Sequence, residues 1–178
     1  MICDRLKKGA GLTEILLEFP TQYIRYSSGI MKMYNELTKQ NTPDWRIVKV
    51  ICYIGPMGSG KSKLVREQDK DVFNVNMNNK NEFLFNGYMN QKSILFDDFY
   101  NQVDYEYMLQ ITDGYRLQLN IKNGDMMAQW TTIYITSNKT PNLWWGDGLR
   151  SMARRVTEIW EVIGGNTKPL SHKFQKKY

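Results

Sequence analysis

One stretch, Gly55-Pro56-Met57-Gly58-Ser59-Gly60-Lys61-Ser62, constrains this chain more than any other, because it fits the pattern G-x-x-x-x-G-K-[ST]. It follows a nearly continuous apolar run: Ile47, Val48, Val50, Ile51, Cys52, Tyr53 and Ile54. Such runs suit strands buried on both faces of a parallel sheet. The residues after Ser62 read as a helix. A strand, a glycine-rich turn and a helix start, in that order, gather backbone N–H groups around an anion. Glycine lets the backbone wrap closely, and the helix end adds partial positive charge. Gly55, Gly58, Ser59 and Gly60 are then expected to cradle phosphates. Lys61 should reach the terminal phosphates and the Ser62 hydroxyl should ligand Mg²⁺. A chance glycine-rich turn is the alternative, and the flanking strand and helix argue against it.

Further apolar runs at Ser93–Phe96 and Thr132–Thr136, and a weaker one at Val156–Ile163, predict more strands. Helical candidates lie between them, after Ser62 and around Tyr105–Ile111. Alternating strands and helices indicate an α/β layer fold. The first forty-odd residues read as helical. Ile30, Met33, Tyr34 and Leu37 form one stripe, and Ile15, Leu16 and Phe19 form another that stops at Pro20. Thr42-Pro43-Asp44 breaks the pattern. This small unit is expected to pack on the rest of the chain or on another copy.

At 178 residues, with 42% hydrophobic and 24% charged residues, the chain is expected to form a compact domain with a small appendage. No apolar run approaches the roughly 18–20 residues of a membrane span, and Met1 opens no secretory signal pattern, so a soluble, intracellular protein is expected. Cys3 and Cys52 have no metal-site spacing, and Cys52 is expected to be a buried thiol. The net charge of +6 hints at a polyanionic partner, although many basic domains bind no nucleic acid.

Three further groups carry candidate chemistry. Asp97 and Asp98 end the strand Ser93–Phe96, at the sheet edge where open α/β folds bind ligands. Asp97 would hold the Mg²⁺ shell and Asp98 would polarise an attacking water. Asn138 ends the Thr132–Thr136 strand; it could contact a γ-phosphate, or simply serve as a turn residue. Leu117, Leu119 and Ile121 alternate with polar residues before Asn123-Gly124. That is a hairpin signal with Lys122 at its tip.

The blocks Gly-Pro-Met-Gly-Ser-Gly-Lys-Ser, Leu-Phe-Asp-Asp-Phe-Tyr, Ile-Thr-Ser-Asn-Lys-Thr-Pro and Met-Ala-Arg-Arg-Val-Thr together resemble the superfamily 3 helicase domain of circovirus-type replication-associated proteins. The resemblance runs from about Thr13 to Val162. It implies an AAA+-like P-loop NTPase fold, a central parallel sheet flanked by helices, with residues 1–42 as an oligomerisation collar and 43–163 as the ATPase domain. Residues 164–178, which carry Lys168, His172, Lys173, Lys176 and Lys177 and no acid, read by themselves as a frayed basic tail. The implied activity is a DNA helicase motor that uses ATP and Mg²⁺, runs 3′-to-5′ on single-stranded DNA as a hexameric ring, and acts in rolling-circle replication of a small circular single-stranded DNA virus. It makes Asn138 a sensor of phosphate and Lys122 a grip on the DNA backbone. It makes Arg154 or Arg155, with Arg155 favoured, a finger reaching a neighbouring subunit's ATP. Localisation to the host nucleus is likewise implied by resemblance alone.

Trp144, Trp145 and Tyr100 could stack on bases, but core packing or a subunit interface is the more ordinary use of such aromatics. Proteins of this family begin with a nicking endonuclease domain that uses paired histidines and a tyrosine nucleophile. This chain has one histidine, His172, and no Tyr-x-x-Lys. Nicking is therefore not assigned to it, and Met1 is expected to open a truncated chain. Competing readings are a viral RNA helicase, a P-loop kinase and an oligomeric NTP-binding scaffold.

Overall fold

In the computed structural model of the protein, residues 1–77, 83–122, 124–145, 152 and 154–170 are described. The chain opens with helices α1 (Ile2–Lys7), α2 (Leu12–Glu18) and α3 (Pro20–Asn41). Pro20 explains the break between α2 and α3. Its ring cannot continue a helix, yet it suits the first position of a new one, where the missing N–H costs nothing. Leu6, Leu12, Ile15 and Ile30 close the core of this unit, with Met33, Tyr34 and Leu37 half-buried around them. Leu16, expected beside Ile15, is 39% exposed. A helix turns roughly 100° per residue, so on so short a helix the neighbour of a buried residue rotates away from the core. α3 is interrupted at Tyr26 and ends at Asn41, where the Thr42 hydroxyl donates to the Thr38 carbonyl at 2.6 Å.

The remaining elements are β1 (Lys49–Ile54), α4 (Lys61–Gln68), β2 (Phe73–Asn74), β3 (Ser93–Phe96), α5 (Tyr105–Thr112), β4 (Gln118–Ile121), β5 (Gly124–Met127), β6 (Thr132–Ser137), β7 (Val156–Ile163) and β8 (Asn166–Pro169). Six of the strands form one sheet in the order β2-β3-β6-β1-β7-β8. All neighbours pair in parallel except β7 and β8. This is a mixed α/β fold with a mostly parallel central sheet and flanking helices, as in a P-loop NTPase of the AAA+ type. β1 lies between β6 and β7 and is buried from Val50 to Ile54, which is why its sequence is an unbroken apolar run. Ile47 belongs to that run in sequence but precedes the strand and is 83% exposed. Cys52 is fully buried, and burial pushes its thiol well above the ordinary range.

Register sets where the chemistry falls. Phe96 on β3 and Cys52 on β1 both lie level with Ile135 on β6. The segments that follow β1, β3 and β6 therefore emerge together along one edge of the sheet. Trp130 centres the larger core, stacked on Phe85 at 5.0 Å, with its indole N–H donating to the Ile111 carbonyl at 3.1 Å. Trp144 and Trp145 both pack on Phe99, with ring centroids 5.0 and 5.2 Å away, so these two belong to the packing. Tyr100 stays half exposed beside Lys139.

Two local expectations change. The tail from Gly164 does not begin frayed, since Gly164 and Gly165 turn the chain back and β8 pairs antiparallel with β7. Both glycines have positive φ, 56° and 82°, as tight hairpin turns require. Lys168 sits on β8 opposite Glu161; His172, Lys173, Lys176 and Lys177 lie outside the described residues. The β4–β5 hairpin forms, but Gly124 pairs with Ile121 as the first residue of β5. Lys122 therefore falls at the tip, as expected, whereas Gly124, expected in the turn, is a strand residue. Asn123 itself is outside the described residues. Among the described residues, no helix is long and apolar enough to cross a membrane.

Candidate functional site

The loop after β1 is shaped by close backbone contacts. Gly55 donates its N–H to the Ser137 carbonyl at 3.2 Å, and a Cβ on Gly55 would stand 2.2 Å from the Val162 carbonyl oxygen. Only glycine lets β7 approach so closely. Gly58 and Gly60 take φ of 76° and 92°, and Gly60 forms the N-cap of α4. The loop thereby curls around the start of α4, whose first N–H groups have no partner within the helix.

Lys61, 7% exposed, turns its ammonium back into this loop. It donates to the carbonyls of Gly55 at 2.9 Å and Pro56 at 2.8 Å, and to Asn138 Oδ1 at 2.9 Å. Burial lowers its pKa, and the charges of Asp98 and Asp97 oppose that shift. Asn138 in turn donates from Nδ2 to Asp98 Oδ1 at 3.0 Å. Lys61, Asn138 and Asp98 thus form one chain of hydrogen bonds.

A second chain runs through Asp97. The Ser62 hydroxyl donates to Asp97 Oδ1 at 2.5 Å, and the Thr136 hydroxyl donates to the same oxygen at 2.7 Å. Arg66 Nη2 reaches the other oxygen, Oδ2, at 3.3 Å. Burial alone would raise the Asp97 carboxyl, but the hydrogen bonds from Ser62, Thr136 and Arg66 hold it below the ordinary carboxylate range. Asp98 adopts φ of 56° and donates its N–H to the Thr136 hydroxyl at 2.8 Å. This left-handed turn lets two adjacent carboxylates face different partners, Asp97 towards Ser62 and Asp98 towards Asn138.

The donor set fits the expected cofactor. Ser62 and Asp97 offer two hard oxygens beside the loop, and Mg²⁺ commonly takes only one or two protein oxygens, leaving its other positions to water and phosphate. Among the described residues, no three of His, Cys, Asp and Glu cluster as a self-sufficient metal cage.

The remaining candidates lie elsewhere. Lys122 is exposed at the hairpin tip, with its backbone N–H directed at Asn86 Oδ1 at 3.3 Å. The hairpin leans on α3, where Asn35 donates to the Asp125 carbonyl. Arg154 and Arg155 precede β7, whose Val156 is in register with Val50. They therefore sit at the opposite end of β1 from the loop, some 13 Å of strand away at about 3.3 Å per residue. Arg154 is exposed, while Arg155 pairs with Asp113 at 2.9 Å. Sequence reasoning missed Arg66 and Thr136. Arg66 had a signal, since it follows Ser62 by one helical turn and so shares its face. Thr136 was visible only as a polar residue inside an apolar strand.

A family model described as RNA helicase matches residues 51–139, which is 89 of 178 residues and half of the chain. The match takes in β1 from Ile51 onward, the glycine-rich loop, Asp97, Asp98 and Asn138. Curated relatives are replication-associated proteins of viruses. That of human associated cyclovirus 1 is 34% identical over 147 residues, covering 80% of this chain and 52% of the relative. That of Porcine circovirus 1 is 27% identical over 167 residues, covering 89% of this chain and 52% of the relative. That of Goose circovirus is 31% identical over 137 residues, covering 77% and 45%. The chain thus spans about half the length of the curated relatives it matches.

The Asp97 geometry sets a direction for stability against pH. Its folded-state pKa lies below the unfolded value, so its ionised form stabilises the fold above the ordinary carboxylate pKa, and that contribution is lost as pH falls through the folded value. Asp97→Asn should therefore destabilise the protein most at neutral pH, with the gap to the parent narrowing in acid. Urea midpoints at pH 7 and pH 3 check this; a gap that widens in acid would contradict it.

Proposed function

This chain belongs to the RNA helicase family, as a superfamily 3-type helicase domain homologous to viral replication-associated proteins, and from that premise we propose that it is an ATP-hydrolysing motor that moves along single-stranded DNA. The observation that carries the reading is the pair of linked hydrogen-bond chains, Lys61–Asn138–Asp98 and Ser62–Asp97–Thr136. They gather at one sheet edge the groups that phosphoryl transfer to water requires: a phosphate cation, a metal carboxylate, a water-orienting base and a polar reporter.

The roles follow from chemistry. Gly55, Gly58, Ser59 and Gly60 shape the cradle. Ser62 and Asp97 would hold Mg²⁺, which supplies charge neutralisation at the phosphates. Lys61 supplies a second positive charge and keeps it mobile, since its present partners are neutral oxygens. Asp98 orients the attacking water. Asn138, bonded to both Lys61 and Asp98, links the position of the cation to the position of the base.

An arginine completes the charge balance from a second copy. Arg154 is the better placed of the pair, because Arg155 is engaged by Asp113; this reverses the order favoured from sequence. On this reading residues 1–42 serve as a collar for a hexameric ring. Lys122 grips the DNA backbone from the hairpin, travel runs 3′-to-5′, and the setting is rolling-circle replication in a host nucleus. A backbone grip is sequence-independent, as a motor requires. A second reading, movement on RNA, is favoured by the description of the matched family, and RNA belongs in every binding assay.

Two substitutions test the assignment. Lys61→Ala deletes the phosphate cation and should lower ATP turnover by about a hundredfold or more; steady-state phosphate release near the parent rate would refute the assignment. Lys122→Ala should leave basal turnover intact, weaken single-stranded DNA binding, and reduce the slope of log affinity against log salt by about 1. Unchanged strand separation by this variant would discredit the hairpin role.

A further inference from the structure

Arg66 is an unexpected member of the site. It extends from α4 one turn beyond Ser62 and places Nη2 3.3 Å from Asp97 Oδ2 and 3.5 Å from Asn74 Oδ1 on β2. The two oxygens of one carboxylate are therefore divided. Oδ1 accepts from the hydroxyls of Ser62 and Thr136, and Oδ2 faces a guanidinium. The Arg66 side chain is 53% exposed, and an ion pair so exposed adds little to folding. Its consequence is local.

Among the four charged groups of the two hydrogen-bond chains and Arg66, the formal charges balance: Asp97 and Asp98 are offset by Lys61 and Arg66. A divalent cation arriving alone meets no net negative charge and must share Asp97 with a guanidinium already bonded to it. A cation arriving with a nucleotide brings the phosphates' negative charge, and that compensates for the repulsion. Arg66 is suited to such a role because it remains charged under all ordinary conditions and hydrates weakly.

We propose that Arg66 is a competing cation built onto the metal carboxylate, one that occupies Asp97 while the loop is without nucleotide and keeps free divalent cations from settling there, so that metal enters together with its nucleotide. This rests on reading the loop as the ATP site. Arg66 acts through Asp97 and is a positioning residue, not a reacting group. Its exposure means that substitution should leave the fold intact.

The test is Mn²⁺ binding, followed by electron paramagnetic resonance, to the whole chain without nucleotide. Arg66→Gln should bind Mn²⁺ about fivefold or more tighter than the parent, since a like charge has been removed from beside the ligand. Arg66→Lys retains the charge and should bind as weakly as the parent. Adding ADP should narrow the gap between Arg66→Gln and the parent. Equal or weaker Mn²⁺ binding by Arg66→Gln would overturn the proposal, as expected of an arginine that merely orients Asp97. So would a gap that ADP leaves as wide. Binding of a fluorescent ATP analogue to the parent chain is measured alongside. Its absence would defeat the ATP-site reading itself, whereas its presence with an unresponsive Mn²⁺ titration would defeat the Arg66 proposal alone.

Discussion

The carboxylate of Asp97 joins three elements at the point where the sheet opens. It sits just beyond β3, takes hydrogen bonds from Ser62 and Arg66 on α4, and takes another from Thr136 on β6. Hydrogen bonds to an ionised acceptor are among the stronger ones, and those from the Ser62 and Thr136 hydroxyls act where burial works against the charge, while the exposed Arg66 pair adds little to folding. Without them the start of α4 would lose its tie to the two strands that carry Asp98 and Asn138. The glycine-rich loop depends on the same junction. It spans β1 and α4, so its curl is fixed only when both ends are held.

Parallel register makes that junction possible. With Phe96 and Cys52 both level with Ile135, the residues after each strand emerge at the same height. Asp97 then meets Thr136 without distortion. Asp98 meets Asn138 only by turning through positive φ, a conformation that non-glycine residues adopt at a cost. The far end of the sheet is as well defined. Val156 in register with Val50 puts Arg154 and Arg155 away from the loop of their own chain. An arginine acting on phosphate from there would have to act on another copy's loop, and on that proposed reading hydrolysis depends on assembly.

Much of this was legible in the sequence wherever one local rule determined the outcome. β1 announced itself as an apolar run because both of its faces are covered, and the glycine pattern marked the loop because left-handed backbone tolerates little else. The Asp97–Asp98 pair and Asn138 fell at strand ends, and the register brought them together as expected. What escaped notice lacked such a rule. β8 is exposed along its whole length at the sheet edge, so it has no hydropathy pattern, and its signal was the Gly164-Gly165 turn. β2 is only two residues long. Gly124 belongs to a strand and not to the turn, because its cross-strand pairing with Ile121 decides the register, not the Asn-Gly dipeptide alone. The ion pair between Arg155 and Asp113 joins residues some forty apart in sequence, and no local pattern contains that contact.

The central claim is that hydrolysis at the Lys61–Asp97 site requires a second copy of the chain and responds to the strand it grips. Steady-state ATP turnover per subunit, measured across protein concentration with and without single-stranded DNA, tests it most directly. The account expects turnover per subunit to climb with concentration, as copies supply one another's arginine, and to change when DNA is added. Turnover that is constant per subunit and indifferent to nucleic acid would contradict it, and would mark the site as self-sufficient, like that of a small-molecule kinase.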